Sequence, residues 1–415
     1  MASKDRGVGI MNRAQNLHGN VNMAQAARID SVTFVVPGGG SASAVVTPLP
    51  ASSAASEEVF VGRGDEIELL LDMLSPRECA GGAVVVPVVA GMGGIGKTTL
   101  ARRAGMRAVE RGWFPGGAVI VDLYGYDPDP QQRVRPCQVF GPLLRALGVA
   151  EREIPSAAGE QAAVYHRVLN QWAGQGRRVL VVLDNASATD QVRDLLPRQG
   201  AHRVVVTTRD TLTLPTARRL SLDVLDTDHA LELIACALHH QDSTDPRTEQ
   251  DQVGLRRIVE LCDGLPLAVE ITAALLADDP DLRVDEFVKN LEQARLPTLA
   301  WGDTSVAAVL SLSWHRLRDS SPEAARLLRL LAAAPGPSIS TEAAAVLADV
   351  TPARVWPLLR TLRQAHLLQR RSGARWALHD LIRTYTARSP PITPAPATPT
   401  RWAWRRRWIG FWTST

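Results

Sequence analysis

The chain has 415 residues, an ordinary apolar fraction of 45% and a formal net charge of +3 in mixed sign. That suits two or three domains with their own cores, and excludes wholesale disorder and a global attraction to nucleic acid. Cys79, Cys137, Cys236 and Cys262 stand far apart without metal-ligand spacing, which predicts buried thiols in a reducing compartment; no apolar run reaches the roughly 18–20 residues of a membrane helix, so the expected location is cytoplasmic.

Residues 1–56 are a compositional zone of their own: polar and Asn-rich, then a strand candidate at 32–36, then Gly38 to Gly40 and a Ser/Ala-rich stretch. They read as a small N-terminal segment and flexible linker. Patterned sequence resumes near residue 59 and leads into an amphipathic helix carrying Ile67, Leu70, Leu71 and Leu74. The apolar run 84–90 suits a buried strand, but Pro87 has no N–H to give a central ladder, so the strand proper is expected to start at Val88.

Next come Gly91, Met92, Gly93, Gly94, Ile95, Gly96, Lys97, Thr98 and Thr99, followed by helical alternation over 98–109. Strand, glycine loop and helix in this order cradle phosphate: the glycines let backbone N–H groups turn inward, and the helix aims the positive end of its dipole at the same point. Lys97 is expected to reach the β- and γ-phosphates, Thr98 to place its hydroxyl on Mg²⁺, and Thr99 to support the phosphate or the helix start. The chain is therefore expected to bind a nucleoside triphosphate.

Apolar runs at 118–123, 179–183 and 203–207, separated by helical patterns at 139–147 and 161–172, predict a parallel, doubly wound α/β sheet. Asp184 follows the second of these, where such a sheet holds Mg²⁺ through water; capping the next helix is its alternative role. Asn185 stands where fast P-loop ATPases place a second acid, so hydrolysis is expected to be slow. Arg209, after the third run, is either a γ-phosphate sensor at the sheet's carboxyl edge or a solvated or ion-paired residue. Beyond about residue 220 strand patterns fade, and helices at 230–238, 254–262, 267–276 and 284–291 predict a helical domain. A block at 304–388 closes with a helix over 358–368 and a hairpin over 368–378, the pattern of a winged helix.

These pieces together resemble the NB-ARC family, the nucleotide switch of STAND-class signalling ATPases, of the type found in actinobacterial regulators. The resemblance runs from about Phe60 to Asp380. Phe60-Val61-Gly62-Arg63 resembles the family's opening motif, which implies Val61 and Arg63 beside adenine. Gly91 to Thr99 resembles its P-loop, Val179 to Asn185 its Walker B strand and Thr207-Thr208-Arg209 its first sensor. Gly264-Leu265-Pro266-Leu267-Ala268 resembles the GLPLA motif, whose Pro packs on nucleotide, and Leu378-His379-Asp380 the MHD motif, whose His meets the β-phosphate of ADP; Leu378 replaces the family's Met. On residues alone, the first of these late motifs also reads as a helix stop and start, and His379 as a core histidine.

The family implies a nucleotide-binding domain at 57–215, a helical domain at 216–300 and a winged helix at 301–388, with ATP or ADP and Mg²⁺ as ligands. It implies an ADP-locked switch opened by exchange, with protein partners through an effector or self-association. The rival is a nucleotide-regulated DNA-binding regulator that uses the winged helix, with Arg354, Arg360, Arg363, Arg370, Arg371 and Arg375, or the tail; a third reading is an inert ADP-binding fragment. Neither the effector domain nor the repeat array usual in the family is evident. Residues 389–415 turn to Pro/Thr/Ala and then to Arg with Trp402, Trp404, Trp408 and Trp412, a composition that suits nucleic acid or a membrane surface but is read here as a frame-shift product beginning near Arg388.

Overall fold

Strands that are apolar at every position must be covered on both faces, and the helices between them provide the cover. The computed structural model describes residues 44–49, 60–76, 85–127, 129–198, 200–214, 216–301, 304–336, 338–371 and 374–388. Its first half runs β1 (Val45–Pro48), α1 (Gly64–Leu74), β2 (Val86–Ala90), α2 (Lys97–Glu110), β3 (Ala118–Asp122), α3 (Pro136–Ala146), α4 (Ala158–Gly174), β4 (Leu180–Ala186), α5 (Asp190–Arg193), β5 (Arg203–Thr208) and β6 (Ala217–Ser221). The six strands form one sheet in the order β1-β3-β4-β5-β2-β6, all parallel except β1, which runs antiparallel to β3.

Alternation along β4 and β5 divides the core. Val181, Leu183, Val204 and Val206 face Leu143 of α3 and Tyr165 of α4, while Leu180, Val182 and Val205 share a cluster with Leu100 and Ala104 of α2 and Leu70 and Leu74 of α1. The order β4-β5-β2 puts the strand that carries Asp184 two places from the strand that feeds the glycine loop.

Several expectations are corrected. The second strand begins at Val86, so Pro87 lies inside it: Pro87 pairs with Arg218 of β6, whereas the ladder to β5 starts only at Val88, and the missing N–H therefore breaks no bond. Residues 45–48, read as linker, supply the edge strand β1. The sheet also extends past residue 215 into β6, whose edge position leaves Arg218 and Arg219 exposed and so hides the strand pattern. Cys137, expected buried, is exposed, because α3 turns Val139, Phe140, Leu143 and Leu144 inward; Cys262 is buried. The strand candidate at 32–36, Cys79 and residues 389–415 lie outside the described residues.

The second half runs α6 (Thr227–Gln241), α7 (Arg247–Gln250), α8 (Gln252–Cys262), α9 (Pro266–Asp278), α10 (Val284–Thr298), β7 (Ala300–Trp301), β8 (Thr304–Ser305), α11 (Val306–Ser320), α12 (Pro322–Ala333), β9 (Ser338–Ile339), α13 (Thr341–Ala348), α14 (Pro352–Gln364), β10 (Gln369–Arg371), β11 (Arg375–Ala377) and α15 (Asp380–Arg388). The expected hairpin is the β10–β11 pair, joined by β9 into a small antiparallel sheet. Trp376 of β11 anchors it: the side chain is buried, its Nε1–H donates to Thr341 at 2.9 Å, and its ring meets Trp356 edge-on at 5.7 Å. Truncating such a residue costs about 3–5 kcal/mol. No helix among the described residues is long and apolar enough to cross a membrane.

Candidate functional site

The glycine loop leaves β2 at Gly91 and ends where α2 opens at Lys97, and no side chain among the described residues caps that helix. Gly96, the residue before α2, has φ +91, a region L side chains avoid, so glycine makes the tight turn into the helix. At Gly93 and Gly94 the reason for glycine is proximity. A Cβ on Gly93 would lie 2.7 Å from Val309 of α11, and one on Gly94 2.9 Å from Leu267 of α9, whose N–H donates to the Gly94 carbonyl at 3.1 Å. Ile95 is buried beneath the loop, and Thr99 is half-buried in the first turn of α2.

Lys97 is buried and folds back on the loop, its Nζ donating to the Met92 carbonyl at 2.8 Å. Burial, with the Arg209 charge beside it, brings this ammonium down to about 7, against the pull of Asp184 and Asp210. The Thr98 hydroxyl donates to both Asp184 oxygens, at 2.9 and 3.0 Å, and Thr207 donates to the same carboxylate. Burial pushes the Asp184 carboxyl upward, while those hydroxyls and Lys97 hold it down. Thr98 and Asp184 thus lie within reach of one cation. Among the described residues no group of three or more His, Cys, Asp or Glu is arranged to hold a metal.

Arg209 extends from the end of β5 into the junction with α11, donating to the Val309 carbonyl at 3.0 Å and the Ser313 hydroxyl at 3.4 Å. Residues that sequence reasoning passed over surround it. Two guanidiniums approach the Tyr126 ring, Arg209 at 4.8 Å and Arg316 at 5.1 Å from its centroid, and Arg316 pairs with Asp210 at 2.9 Å. These residues, with Ser313 and Gln364, line a cavity of about 190 Å³ between the sheet's carboxyl edge and α11 and α14. His366, just after α14, has an enclosed Nε2 without a partner among the described residues; burial and the charges of Lys97 and Arg363 hold the ring at about 4. Asp122 sits opposite Asp184 on the neighbouring strand, where burial and the Asp184 charge push it up to about 7. None of these stands in a contiguous motif, and an acid at the end of an apolar run was the only signal for Asp122.

The opening motif lies along α6. Val61 is half-buried against the main core, and buried Arg63 donates to Glu66 at 2.8 Å and to the Asp223 carbonyl. A Cβ on Gly62 would lie 2.6 Å from the His229 side chain. Pro266 is the first residue of α9 and reaches the glycine loop through its neighbour Leu267. His379 is buried, with Nδ1 3.0 Å from Asp263 Oδ2 at the end of α8 and Nε2 enclosed without a partner among the described residues. Among the described residues no hydrogen bond or ion pair joins His379 to Gly91–Thr99. The structure therefore brings together Lys97, Thr98, Asp184 and Arg209, and ties His379 and Asp380 to Asp263, the residue before Gly264.

Residues 63–244 match the model of the NB-ARC domain. The chain is 38% identical over 349 residues to the regulatory protein AfsR of Streptomyces coelicolor, a match that covers 83% of this chain and 33% of that protein. It is 35% identical over 339 residues to AfsR of Streptomyces griseus, covering 81% and 33%. The chain thus spans about a third of the length of these curated relatives. Among solved structures, the Walker-type ATPase of Pyrococcus abyssi superposes with a TM-score of 0.56 at 13% identity, over 79% of this chain and 96% of that one, a likeness of fold.

Proposed function

Because residues 63–244 of this chain form an NB-ARC domain, we propose that it works as a regulatory switch operated by an adenine nucleotide, held shut by ADP and released by exchange for ATP. One observation carries the reading: adjacent glycines of the phosphate loop meet two later helices, Gly93 lying against Val309 of α11 and Gly94 against Leu267 of α9. A phosphate seated there is felt by both later segments at once.

The residues suit the ligand. A helix N-terminus and a buried Lys that, among the described residues, have neither a side-chain cap nor a paired carboxylate form a site for an anion. In this reading Lys97 leaves the Met92 carbonyl for the phosphates, Thr98 and Asp184 hold the cation, and Arg209 exchanges the α11 carbonyl for the γ-phosphate. Val61 and Arg63 flank the adenine, and Thr99 steadies the first turn. Pro266 and His379 close over the nucleotide, His379 offering its enclosed Nε2 to the ADP phosphate. Mg²⁺, when bound, supplies positive charge to the β- and γ-phosphate oxygens. Residues 57–215 with β6 are the nucleotide domain, 216–300 the helical domain and 301–388 a winged-helix clamp, with protein partners receiving the signal. The likeness to regulatory proteins supports a regulatory output.

The test is nucleotide content. Protein purified without added ligand, then denatured, is expected to release ADP, and Lys97→Ala to release little. If no nucleotide is recovered and none binds with Mg²⁺ present, the switch reading fails.

A further inference from the structure

Asn185 stands where an acid would orient the attacking water, yet an acid is present one strand away. β3 and β4 pair in parallel with Asp122 directly opposite Asp184, so two carboxylates leave the carboxyl edge of the sheet on strands about 4.8 Å apart. They are bonded differently. Asp184 accepts hydroxyls from Thr98 and Thr207 and is engaged on both oxygens. Asp122 is held through one oxygen only: its Oδ1 accepts the Tyr124 N–H at 2.8 Å and the Asn185 side-chain N–H at 3.2 Å. Its Oδ2 takes no hydrogen bond from the described residues.

The backbone around this contact is set to make it. Asn185 has φ +54 and lies where the β4–β5 register shifts between Leu183 and Ala186, with its N–H donating to the Thr207 hydroxyl. Tyr124, at φ +46, folds its own N–H back onto Asp122. Left-handed conformations in non-glycine residues persist where the surroundings impose them, and they gather at working sites. Here two of them fix one carboxylate oxygen and leave the other directed to no protein partner.

We propose that Asp122 is the acid that orients and deprotonates the attacking water in ATP hydrolysis, with Asn185 as its positioning residue. The proposal rests on the nucleotide-switch reading above and adds the hydrolytic residue to it. In the step, the water oxygen bonds to the γ-phosphorus as the bond from that phosphorus to the β,γ-bridging oxygen breaks. The electron pair of the broken bond stays on the bridging oxygen of ADP. The water proton passes to Oδ2 of Asp122 and from there to solvent. Asn185 is then the amide that aims the acid rather than a missing acid.

The competing role for Asp122 is a structural one, accepting the Tyr124 N–H at the turn after β3, and the experiment separates the two. Single-turnover ATP hydrolysis and Mg-ATPγS affinity are measured on the full chain for wild type, Asp122→Asn, Asn185→Ala and the exchange Asp122→Asn with Asn185→Asp. Asp122→Asn keeps an acceptor for Tyr124; it is expected to bind within about threefold of wild type while hydrolysis falls by roughly tenfold or more. Asn185→Ala should lower hydrolysis with binding kept, and the exchange should recover part of the rate by returning a carboxylate to the same pair, which a turn-capping role would not do. Hydrolysis by Asp122→Asn within threefold of wild type overturns the assignment, as does a wild type that binds Mg-ATP and never cleaves it. A wild type that binds no nucleotide overturns the switch reading as well, and affinity tells the two failures apart.

Discussion

The His379 ring nitrogen Nδ1 lies 3.0 Å from Oδ2 of Asp263, and the same carboxylate oxygen accepts the Asp380 N–H at 2.9 Å. Asp263 ends α8 in a left-handed conformation, one residue before Gly264, so a helix end in the middle of the chain grips the start of α15. Burial lowers the His379 ring below the usual imidazole range, and the Asp263 charge pulls it back. If this contact holds the switch shut, Asp263→Asn, which keeps the left-handed turn, should speed ADP release by about fivefold or more. His379→Ala should do the same, and the double variant should add little, since both break one contact. Stopped-flow release of a fluorescent ADP analogue measures this; unchanged release in both single variants would exclude the contact as the latch.

Lys97→Met should separate binding from stability. Burial opposes the ammonium, bringing it down to about 7, so an apolar side chain of similar length removes an unfavourable buried charge. Nucleotide affinity is expected to fall by tenfold or more, about 1.4 kcal/mol. The nucleotide-free Tm should stay level or rise. A lower Tm with intact affinity would contradict this reading of Lys97.

Gly93→Ala probes the contact between the loop and α11. Its Cβ would meet Val309 at 2.7 Å, so overpacking should cost about 1–3 kcal/mol in urea unfolding. Val309→Ala in the same chain should return most of that loss. No recovery in the double variant would mean that the strain lies elsewhere, with the Arg209 guanidinium at 3.1 Å the next neighbour.

His366 predicts an acid limb. Its folded-state value of about 4 lies below the ordinary 6.5, so between these the unfolded chain binds the extra proton. The stability from the neutral ring is complete above about pH 6.5 and is lost as pH falls towards 4, by up to roughly 3 kcal/mol. His366→Asn tolerates the φ of +53 at this position and does not titrate. It should flatten the dependence when denaturant midpoints are compared at pH 5 and pH 7. A curve parallel to wild type would show that His366 does not carry the limb.

The phosphate loop was legible because everything it needs is contiguous: an apolar strand, closely spaced glycines and a helix start carry Lys97 and Thr98 on one short stretch. Strand periods placed Asp184 and Arg209 at the sheet's carboxyl edge for the same reason. Tertiary structure alone decided which strands are neighbours. It set Asp122 beside Asp184, brought Arg316 and Tyr126 to Arg209, and joined His379 to Asp263. It also drew in β1 and β6, edge strands whose exposed or unpatterned residues carry no burial signal. Local backbone chemistry is written in neighbouring residues, whereas a pairing between distant segments follows from how the whole chain buries its apolar faces, and no short stretch of the chain contains it.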